Sequence, residues 1–311
     1  MVDIGIPPAY VEEAQFGTYL VEEKDLLPFF PKRPPQAHKG RYGHLLVLTG
    51  SPGKLGAGIM ASLAALRTGA GLVTAGVPKG LNLAFEAAVM EAMSAPLPEA
   101  PNGGLGAEAL DEVLALAEGK SAVAIGPGMG TDPSTGELVL SLVERLEVPM
   151  VIDADGLNLL AQNPEVLKKT KAPVVLTPHP GEMSRLSGKS VGEIQNNRLE
   201  VAREFAEKYG GILVLKGAGT VTALPNGVCH INPTGTPGMA SGGSGDLLTG
   251  IIGGLICQGV TPEDAAWAGV YLHGRSGELA AEMSGEYGMI AGDMLGTLPD
   301  AIEEIASWTR D

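Results

Sequence analysis

The stretch that decides the fold is His44-Leu-Leu-Val-Leu-Thr49, which is followed by a glycine-rich loop at 51–58 and an apolar segment at 59–68. The first run has the length of a buried β-strand, and the segment after the loop has the apolar spacing of a helix that ends at Gly69. A second apolar run follows at 72–77. Strand, glycine loop, helix and strand in this order predict one unit of an α/β fold.

The same order recurs along the chain. Further short apolar runs lie at 122–125, 150–153, 174–177 and 212–215, with helical segments at 134–146, 156–161 and 181–187. Strands that are apolar on both faces belong to parallel sheets covered by helices. We therefore expect an α/β three-layer sandwich, with a mostly parallel central sheet and helices on both faces. The remaining elements are a hairpin at 220–223 and 228–231 and helices at 246–258, 262–283 and 291–307.

The composition is that of a globular protein with an excess of glycine. Of the 311 residues 45 are glycine, 44% are hydrophobic and 18% are charged. The net charge of −15 argues against nucleic acid or an anionic membrane as the main partner. A phosphorylated ligand remains compatible with that charge, because backbone N–H groups, a metal ion or a few lysines can make one cleft positive.

The cysteines and the first residues bear on the compartment. Cys229 and Cys257 lie in apolar surroundings without metal-ligand spacing, so we expect buried free thiols in a reducing compartment. The first ten residues lack the basic start and apolar run of a signal peptide, and no apolar segment has the length that spans a bilayer. These features together predict a cytoplasmic enzyme.

Two parts of the chain differ in composition. Residues 1–40 are rich in proline and acidic residues, and they include Pro-Lys-Arg-Pro-Pro at 31–35. Such a segment is typical of a linker or N-terminal arm, with one short helical stretch at best. We expect residues 41–311 to form a single domain without an internal repeat.

The most informative site motif is Gly242-Gly-Ser-Gly-Asp246, which leads directly into an apolar helix. The first-turn N–H groups of Gly243, Ser244 and Gly245 have no helical partner and suit a phosphate group. Asp246 has two interpretations. It caps the helix, or it accepts a proton from a hydroxyl that attacks a phosphoryl group.

Glycine loops at two other strand ends are less specific. Gly126-Pro-Gly-Met-Gly130 lacks the spacing of a Rossmann fingerprint, and the loop at 51–58 lacks the Gly-Lys-Ser/Thr end of a Walker A loop. Each is either a tight structural turn or a place where a ligand approaches the backbone closely.

A histidine between two prolines follows another strand, in Thr177-Pro-His-Pro-Gly-Glu182. His179 is a ligand contact or a hydrogen-bonded structural residue. Glu182 and Arg185 follow in the first turns of the next helix, where Glu182 also suits the positive helix end.

Two more strand ends carry polar residues. Asp153 and Asn158 form either a capped helix start or a polar wall that touches a ligand or holds Mg²⁺ through water. The motif Lys216-Gly217-Ala218-Gly219-Thr220 is either the edge of a nucleotide site or a β-turn with a solvated lysine. His273 and Met283, in the helical C-terminal part, are interpreted as packing residues.

The motifs at 126–130, 177–182, 216–220 and 242–246 resemble, in that order, those of the ADP- or ATP-dependent NAD(P)H-hydrate dehydratase family, which has the ribokinase-like fold. The resemblance extends from Tyr19 to the C-terminus. The opening Val2-Asp-Ile-Gly-Ile-Pro-Pro8 resembles the end of an NAD(P)H-hydrate epimerase domain. This likeness implies that the chain is the dehydratase half of a bifunctional repair protein, with the epimerase fused upstream.

The resemblance implies a substrate, a co-substrate and their contacts. The substrate is the hydrated form of NADH or NADPH (the S epimer), whose ring hydroxyl is phosphorylated by ADP or ATP with Mg²⁺ before phosphate is eliminated. It would contact Ala57, Gly128, His179, Glu182, Arg185 and Asp246. The nucleotide would lie along 216–220 and at Gly245. The family also implies a homotetramer.

Two other functions stay open at this stage. A vitamin or sugar kinase of the same fold would use Asp246 to activate a hydroxyl and would release a phosphorylated product. A non-catalytic nucleotide sensor would bind ADP and tolerate the loss of Asp246.

Overall fold

The computed structural model describes residues 5–14 and 16–307, and its ten strands form one sheet. The strands are β1 (Thr18–Leu20), β2 (His44–Leu48), β3 (Leu72–Pro78), β4 (Met93–Leu97), β5 (Ala122–Ile125), β6 (Met150–Ile152), β7 (Val174–Leu176), β8 (Ile212–Leu215), β9 (Val221–Ala223) and β10 (Cys229–Ile231). Their order across the sheet is β1-β10-β9-β8-β7-β6-β5-β2-β3-β4. Only β9 runs against its neighbours, and all other pairs of these strands are parallel.

Helices cover both faces of the sheet. The α-helices are α1 (Pro8–Ala14), α2 (Leu55–Thr68), α3 (Asn82–Ala88), α4 (Leu110–Ala117), α5 (Pro133–Arg145), α6 (Ala154–Leu160), α7 (Pro180–Ser187), α8 (Val191–Asn196), α9 (Arg198–Tyr209), α10 (Ser244–Cys257), α11 (Pro262–Ser284) and α12 (Ala291–Ser307). Short 3-10 helices lie at Glu23–Phe29, Lys39–Tyr42, Lys79–Leu81, Ala107–Ala109, Pro164–Lys169 and Pro237–Met239. No helix in the described ranges is both long and apolar enough to cross a membrane.

Alternation along the central strands builds two separate cores. In β2, Leu45 and Val47 pack against α2, α10, α11 and α12, while Leu46 and Leu48 pack on the opposite side with α4 to α9. All four side chains are completely buried. The predicted three-layer sandwich with a mostly parallel sheet is therefore confirmed, and the apolar runs reflect burial on both faces.

The hairpin and the long C-terminal helices are also confirmed. β9 and β10 pair antiparallel with Ala223 opposite Cys229, and Gly227 closes their turn by donating its N–H to Leu224 O at 3.0 Å. Gly227 has φ 84°, a conformation that favours glycine. The helix after Thr261 begins at Pro262, as its capping residues indicate.

Three details of the sequence interpretation are wrong. Helix α2 begins at Leu55, so half of the expected glycine loop at 51–58 is helical. The arm at 1–40 contains α1, β1 and the 3-10 helix Glu23–Phe29, although at most one short helical stretch is expected from its sequence. β1 exists through pairing with the distant β10, which local sequence does not reveal. Met283 is 78% exposed and is not a packing residue.

The first residues are only partly described. Val2 to Ile4, which carry part of the resemblance to an epimerase domain, lie outside the described residues. Beyond them, Leu26 of the arm is completely buried, and the ring of Phe29 lies 5.4 Å from that of Trp267 in α11. The later part of the arm therefore packs on the domain.

Helices α2 and α10 approach each other closely through glycine. A Cβ atom at Gly250 would lie 2.1 Å from Ala61 O, and one at Gly254 would lie 2.9 Å from Ala65 O. Contact between backbones fixes where α10 begins relative to the sheet, because a larger side chain would push the two helices apart.

We expect Gly250→Ala to lower the free energy of unfolding by about 1–3 kcal/mol, because the added methyl group has no space in this contact. Urea unfolding followed by circular dichroism measures the change. Gly296→Ala in α12 is the control: its Cβ would meet nothing within 4 Å, so helix propensity should stabilise it slightly. Equal stability of the Gly250→Ala variant and the unmodified protein would contradict the tight crossing.

Candidate active site

The carboxyl ends of β6, β7 and β8 meet the start of α10 at one buried carboxylate. Asp153 Oδ1 accepts hydrogen bonds from Thr177 Oγ1 and Lys216 Nζ, both at 2.8 Å. Asp153 Oδ2 accepts a hydrogen bond from Thr249 Oγ1 at 2.9 Å. Asp153 is 1% exposed, so its carboxylate lies in the interior and holds these three side chains in position.

Lys216 carries the positive charge of the site. Burial by itself would lower its pKa. The pKa is nevertheless raised above its ordinary value by the charges of Asp153 and Glu182, by the hydrogen bond to Asp153 and by the charge of Asp246. A Cβ atom at Gly245 would lie 3.2 Å from Lys216 Nζ. The ammonium group therefore lies beside the first turn of α10 and is protonated at neutral pH.

The first turn of α10 has free backbone donors. Its N-terminal residue is preceded by Gly243, which has φ 93° and provides no side-chain cap. Within residues 5–14 and 16–307, no acceptor is found for the N–H groups of Gly245 and Asp246. Unpartnered N–H groups next to a lysine form a binding site for an anion such as phosphate.

Asp246 is the titratable group of this turn. Burial raises its pKa to about 7, and the negative charges of Asp153, Asp155 and Glu182 act in the same direction against the attraction of Lys216. No described side chain or backbone N–H donates a hydrogen bond to its carboxylate. A carboxylate with a pKa near neutrality can accept a proton and release it again.

His179 has the structural role that the sequence left open, and its ring is also accessible. Its Nδ1 accepts the backbone N–H of Gly181 at 2.9 Å and caps α7. The neutral ring therefore carries its proton on Nε2, which lies 3.4 Å from Glu182 Oε1. Burial, followed by the charges of Lys216 and Arg185, lowers the pKa of His179. The side chain is 52% exposed, so a ligand can reach the ring.

Glu182 lies beneath this histidine. Its Oε2 accepts the backbone N–H of His179 at 2.9 Å and lies 4.0 Å from Lys216 Nζ. Burial raises the pKa of Glu182, while the charge of Lys216 opposes the shift. At the rim, Arg185 Nη1 donates to Asn158 Oδ1 at 2.9 Å, so these two predicted residues are brought together.

The loop after β5 lies against the start of α2. A Cβ atom at Gly128 would lie 2.3 Å from Lys54 O and 3.2 Å from Ala57 Cβ, and Gly128 has φ 65°. Asp155 Oδ2 joins the two segments by accepting from Lys54 Nζ at 3.0 Å and from Gly130 N–H at 2.8 Å. Ala57 and Gly128, both of which are expected to contact the hydrate, are therefore neighbours.

The loop at 216–220 is held in place by an arginine that the sequence analysis did not single out. Arg198 Nη2 donates to Leu215 O at 2.9 Å, and a Cβ atom at Gly217 would lie 2.6 Å from Arg198 Nη1. Thr220 Oγ1 donates to Gly217 O at 2.9 Å and closes the turn. Residues 217–219 are exposed. Thr249 was also missed; neither residue belongs to a glycine motif, and only the fold brings them here.

The donor set suits Mg²⁺ that arrives with a nucleotide. Within the described residues, no three histidine, cysteine, aspartate or glutamate side chains form a metal cage. Protein sites for Mg²⁺ commonly supply one or two carboxylates and leave the other positions to phosphate and water. Asp246, which accepts no hydrogen bond from a described residue, and Glu182 are the carboxylates that fit this use.

A sequence model of the NAD(P)H-hydrate dehydratase family matches residues 45–300. The chain belongs to this family. It is 47% identical to a bifunctional NAD(P)H-hydrate repair enzyme of Moorella thermoacetica, over 98% of this chain and 58% of that relative. The chain therefore spans less than two thirds of this bifunctional relative.

Solved structures agree with the NAD(P)H-hydrate dehydratase family. The ADP/ATP-dependent NAD(P)H-hydrate dehydratase of Bacillus subtilis, co-crystallised with ATP and Mg²⁺, is 32% identical with a TM-score of 0.79, over 92% of this chain and 98% of that one. A ribokinase-like superfamily protein of Enterococcus faecalis is 26% identical with a TM-score of 0.80, over 94% and 97% of the two chains. The ribokinase-like fold is confirmed.

We expect Asp153→Asn to lower the free energy of unfolding by about 3 kcal/mol, because it leaves Lys216 without its buried partner. Chemical denaturation at neutral pH measures the loss. Glu144→Gln is the control, since it breaks an exposed pair with Lys169 at 3.4 Å and should change stability by less than about 1 kcal/mol. Similar losses for both variants would contradict the supporting role of Asp153.

Proposed function

We propose that the protein uses ADP or ATP to dehydrate the S epimer of hydrated NADH or NADPH and so returns the reduced nicotinamide nucleotide. The observation that carries this proposal is the first turn of α10. There the Asp246 carboxylate, with a pKa raised to about 7, lies beside the free N–H groups of that turn and the Lys216 ammonium. This arrangement suits a reaction in which a hydroxyl loses a proton while it attacks a phosphoryl group.

The reaction has two balanced stages. Asp246 takes the proton of the ring hydroxyl as its oxygen bonds to the terminal phosphorus, and the bond from that phosphorus to the rest of the nucleotide breaks. ADP then leaves AMP, and ATP leaves ADP. In the second stage the C–O bond of the new phosphate ester breaks, a proton leaves the neighbouring ring carbon, and the double bond returns.

Charge on the transferred phosphoryl group is stabilised by fixed donors. These are the backbone N–H groups of Gly243, Gly245 and Asp246, the Ser244 hydroxyl and Lys216. Mg²⁺ bound to the nucleotide phosphates, within reach of Asp246 and Glu182, would neutralise further charge. Donors that are already in position need no rearrangement when charge develops.

The two ligands occupy opposite sides of Asp246. Hydrated NADH or NADPH lies against Ala57, Gly128 and His179, with Glu182, Arg185 and Asn158 farther along the same wall. The nucleotide lies along 216–220 and at Gly245. Gly128 and Ala57 are neighbours in the first of these places, and Gly245 and Lys216 are neighbours in the second.

The wider setting of the chain is part of the same proposal. An NAD(P)H-hydrate epimerase domain precedes the dehydratase, which the similarity to bifunctional repair enzymes supports. The protein is cytoplasmic and forms a homotetramer through its apolar C-terminal helices. Met283, Tyr287 and Ile290 are strongly exposed around the connection of α11 to α12 and support such an interface.

We expect Asp246→Asn to lower kcat by about 10²–10⁴-fold, because the variant cannot accept the hydroxyl proton. The assay mixes hydrated NADH, Mg²⁺ and ADP or ATP and follows the recovery of reduced-nicotinamide absorbance, with mass spectrometry for a phosphorylated product. A kinase that releases its product would accumulate the phosphate ester, and the dehydratase would not. Full turnover by the Asp246→Asn variant would contradict the catalytic role.

Two controls separate catalysis from stability in this experiment. Asp111→Asn changes an exposed carboxylate in the first turn of α4 and should leave kcat unchanged. The melting temperature of the Asp246→Asn variant should stay within a few degrees of the unmodified protein. Ionisation of Asp246 opposes folding as pH rises from its ordinary pKa of 3.8 to about 7, so removal of the charge costs no stability at pH 8.

The pKa of Asp246 also predicts the pH dependence. Below about pH 7 the carboxylate is mostly protonated and cannot act as a base, so kcat/KM should rise about tenfold per pH unit and become level above pH 7. Initial rates with hydrated NADH between about pH 5.5 and 8.5 measure the profile. A profile that is flat over this range would show that Asp246 titrates near its ordinary value and would contradict the assignment.

A further inference from the structure

The glycine-rich segment at 232–243 and the start of α10 are hydrogen-bonded to α11 at three places. Thr234 Oγ1 donates to Tyr271 O at 2.9 Å, and the backbone N–H of Gly235 donates to Glu278 Oε1 at 2.8 Å. The third attachment lies at the start of α10 and reaches the phosphate-binding turn itself. Helix α11 therefore supports both ends of this segment.

The third attachment is a buried histidine. His273 Nε2 lies 2.8 Å from Ser244 O and 3.1 Å from Ser244 Oγ. A carbonyl oxygen only accepts hydrogen bonds, so Nε2 at this distance must carry a proton. A protonated Nε2 has no lone pair for the serine hydroxyl. The Ser244 O–H group therefore cannot donate to His273.

The hydroxyl proton of Ser244 is free for a ligand. In the described part of the chain, Ser244 Oγ has no hydrogen-bond partner besides His273. Burial lowers the pKa of His273 to about 4, although its hydrogen bond to Ser244 O acts in the opposite direction. The ring is therefore neutral at physiological pH, with its single N–H facing Ser244.

We propose that His273 is a positioning residue whose Nε2–H group directs the Ser244 hydroxyl proton toward the transferred phosphoryl group. This inference rests on the proposed function, because it assigns a direction to one donor of the phosphoryl site. Because no described residue accepts the hydroxyl proton of Ser244, a phosphoryl oxygen bound at this turn would be its acceptor. Donors held in position in this way stabilise charge that develops in a transition state. His273 itself touches neither ligand.

The first test needs no turnover. Nitrogen-15 NMR of the imidazole groups identifies the tautomer of His273 in the unmodified protein, with its signal assigned by comparison with His273→Gln. We expect a neutral ring with the proton on Nε2 at pH 7. A proton on Nδ1, or a charged ring, would overturn the inference. Because activity is not measured, this result is independent of whether the protein is a dehydratase.

The second test is a double-mutant cycle of His273→Leu and Ser244→Ala. We expect His273→Leu to lower kcat by about tenfold in the unmodified protein, with nucleotide KM within about twofold, because one donor is misdirected. In the Ser244→Ala background the same change should lower kcat by less than about twofold, since no hydroxyl remains to be directed. Equal losses in both backgrounds would overturn the inference.

A conservative variant keeps this cycle interpretable if His273→Leu folds poorly. His273→Gln retains an N–H donor of similar reach and should keep kcat within about threefold of the unmodified protein. If His273 had only a structural role, kcat would change with the melting temperature of each variant, whether or not residue 273 supplies a hydrogen-bond donor. If kcat fell with melting temperature alone across the three variants, the positioning role would be excluded.

Discussion

The structure of the site depends on one buried carboxylate that accepts three hydrogen bonds. Asp153 binds Thr177 after β7, Lys216 after β8 and Thr249 in α10, so three separate parts of the chain are held at fixed distances. Its charge also acts beyond these contacts. It keeps the lysine protonated in a buried position, and it adds to the burial that raises the pKa of Asp246. The same carboxylate thus holds the site together and adds to the raised pKa of its base, whereas Lys216 opposes that shift.

The start of α10 is fixed in position, and some of its polar groups lack hydrogen-bond partners within the described residues. Close packing at Gly250 fixes the helix against α2, and attachments to α11 hold the segment that precedes it. Between these supports the N–H groups of Gly245 and Asp246 and the Asp246 carboxylate have no protein partner in the ranges that the structure describes. Groups left without partners weaken a helix end. Here they become binding and catalytic groups, because the surrounding packing holds them in place.

Local patterns predicted most of the fold, and the fold supplied what they omitted. The runs at 44–49 and 122–125 were recognisable because strands buried on both faces are uniformly apolar. The pairing of β1 with β10 was missed, since it joins residues about two hundred positions apart. In the site, glycine motifs indicated the loops, but Arg198 and Thr249 become visible only when distant helices are packed against the strand ends. His273 was assigned to packing, and its burial is real; its contact with Ser244 depends on three-dimensional geometry alone.

The most direct test of the account is a crystal structure of the Asp246→Asn variant with hydrated NADH and ADP bound. We expect the ring hydroxyl within about 3 Å of the side chain at position 246, with His179 and Gly128 against the nicotinamide ring and the terminal phosphate at the N–H of Gly245. A ring hydroxyl directed away from position 246, or a terminal phosphate remote from α10, would contradict it.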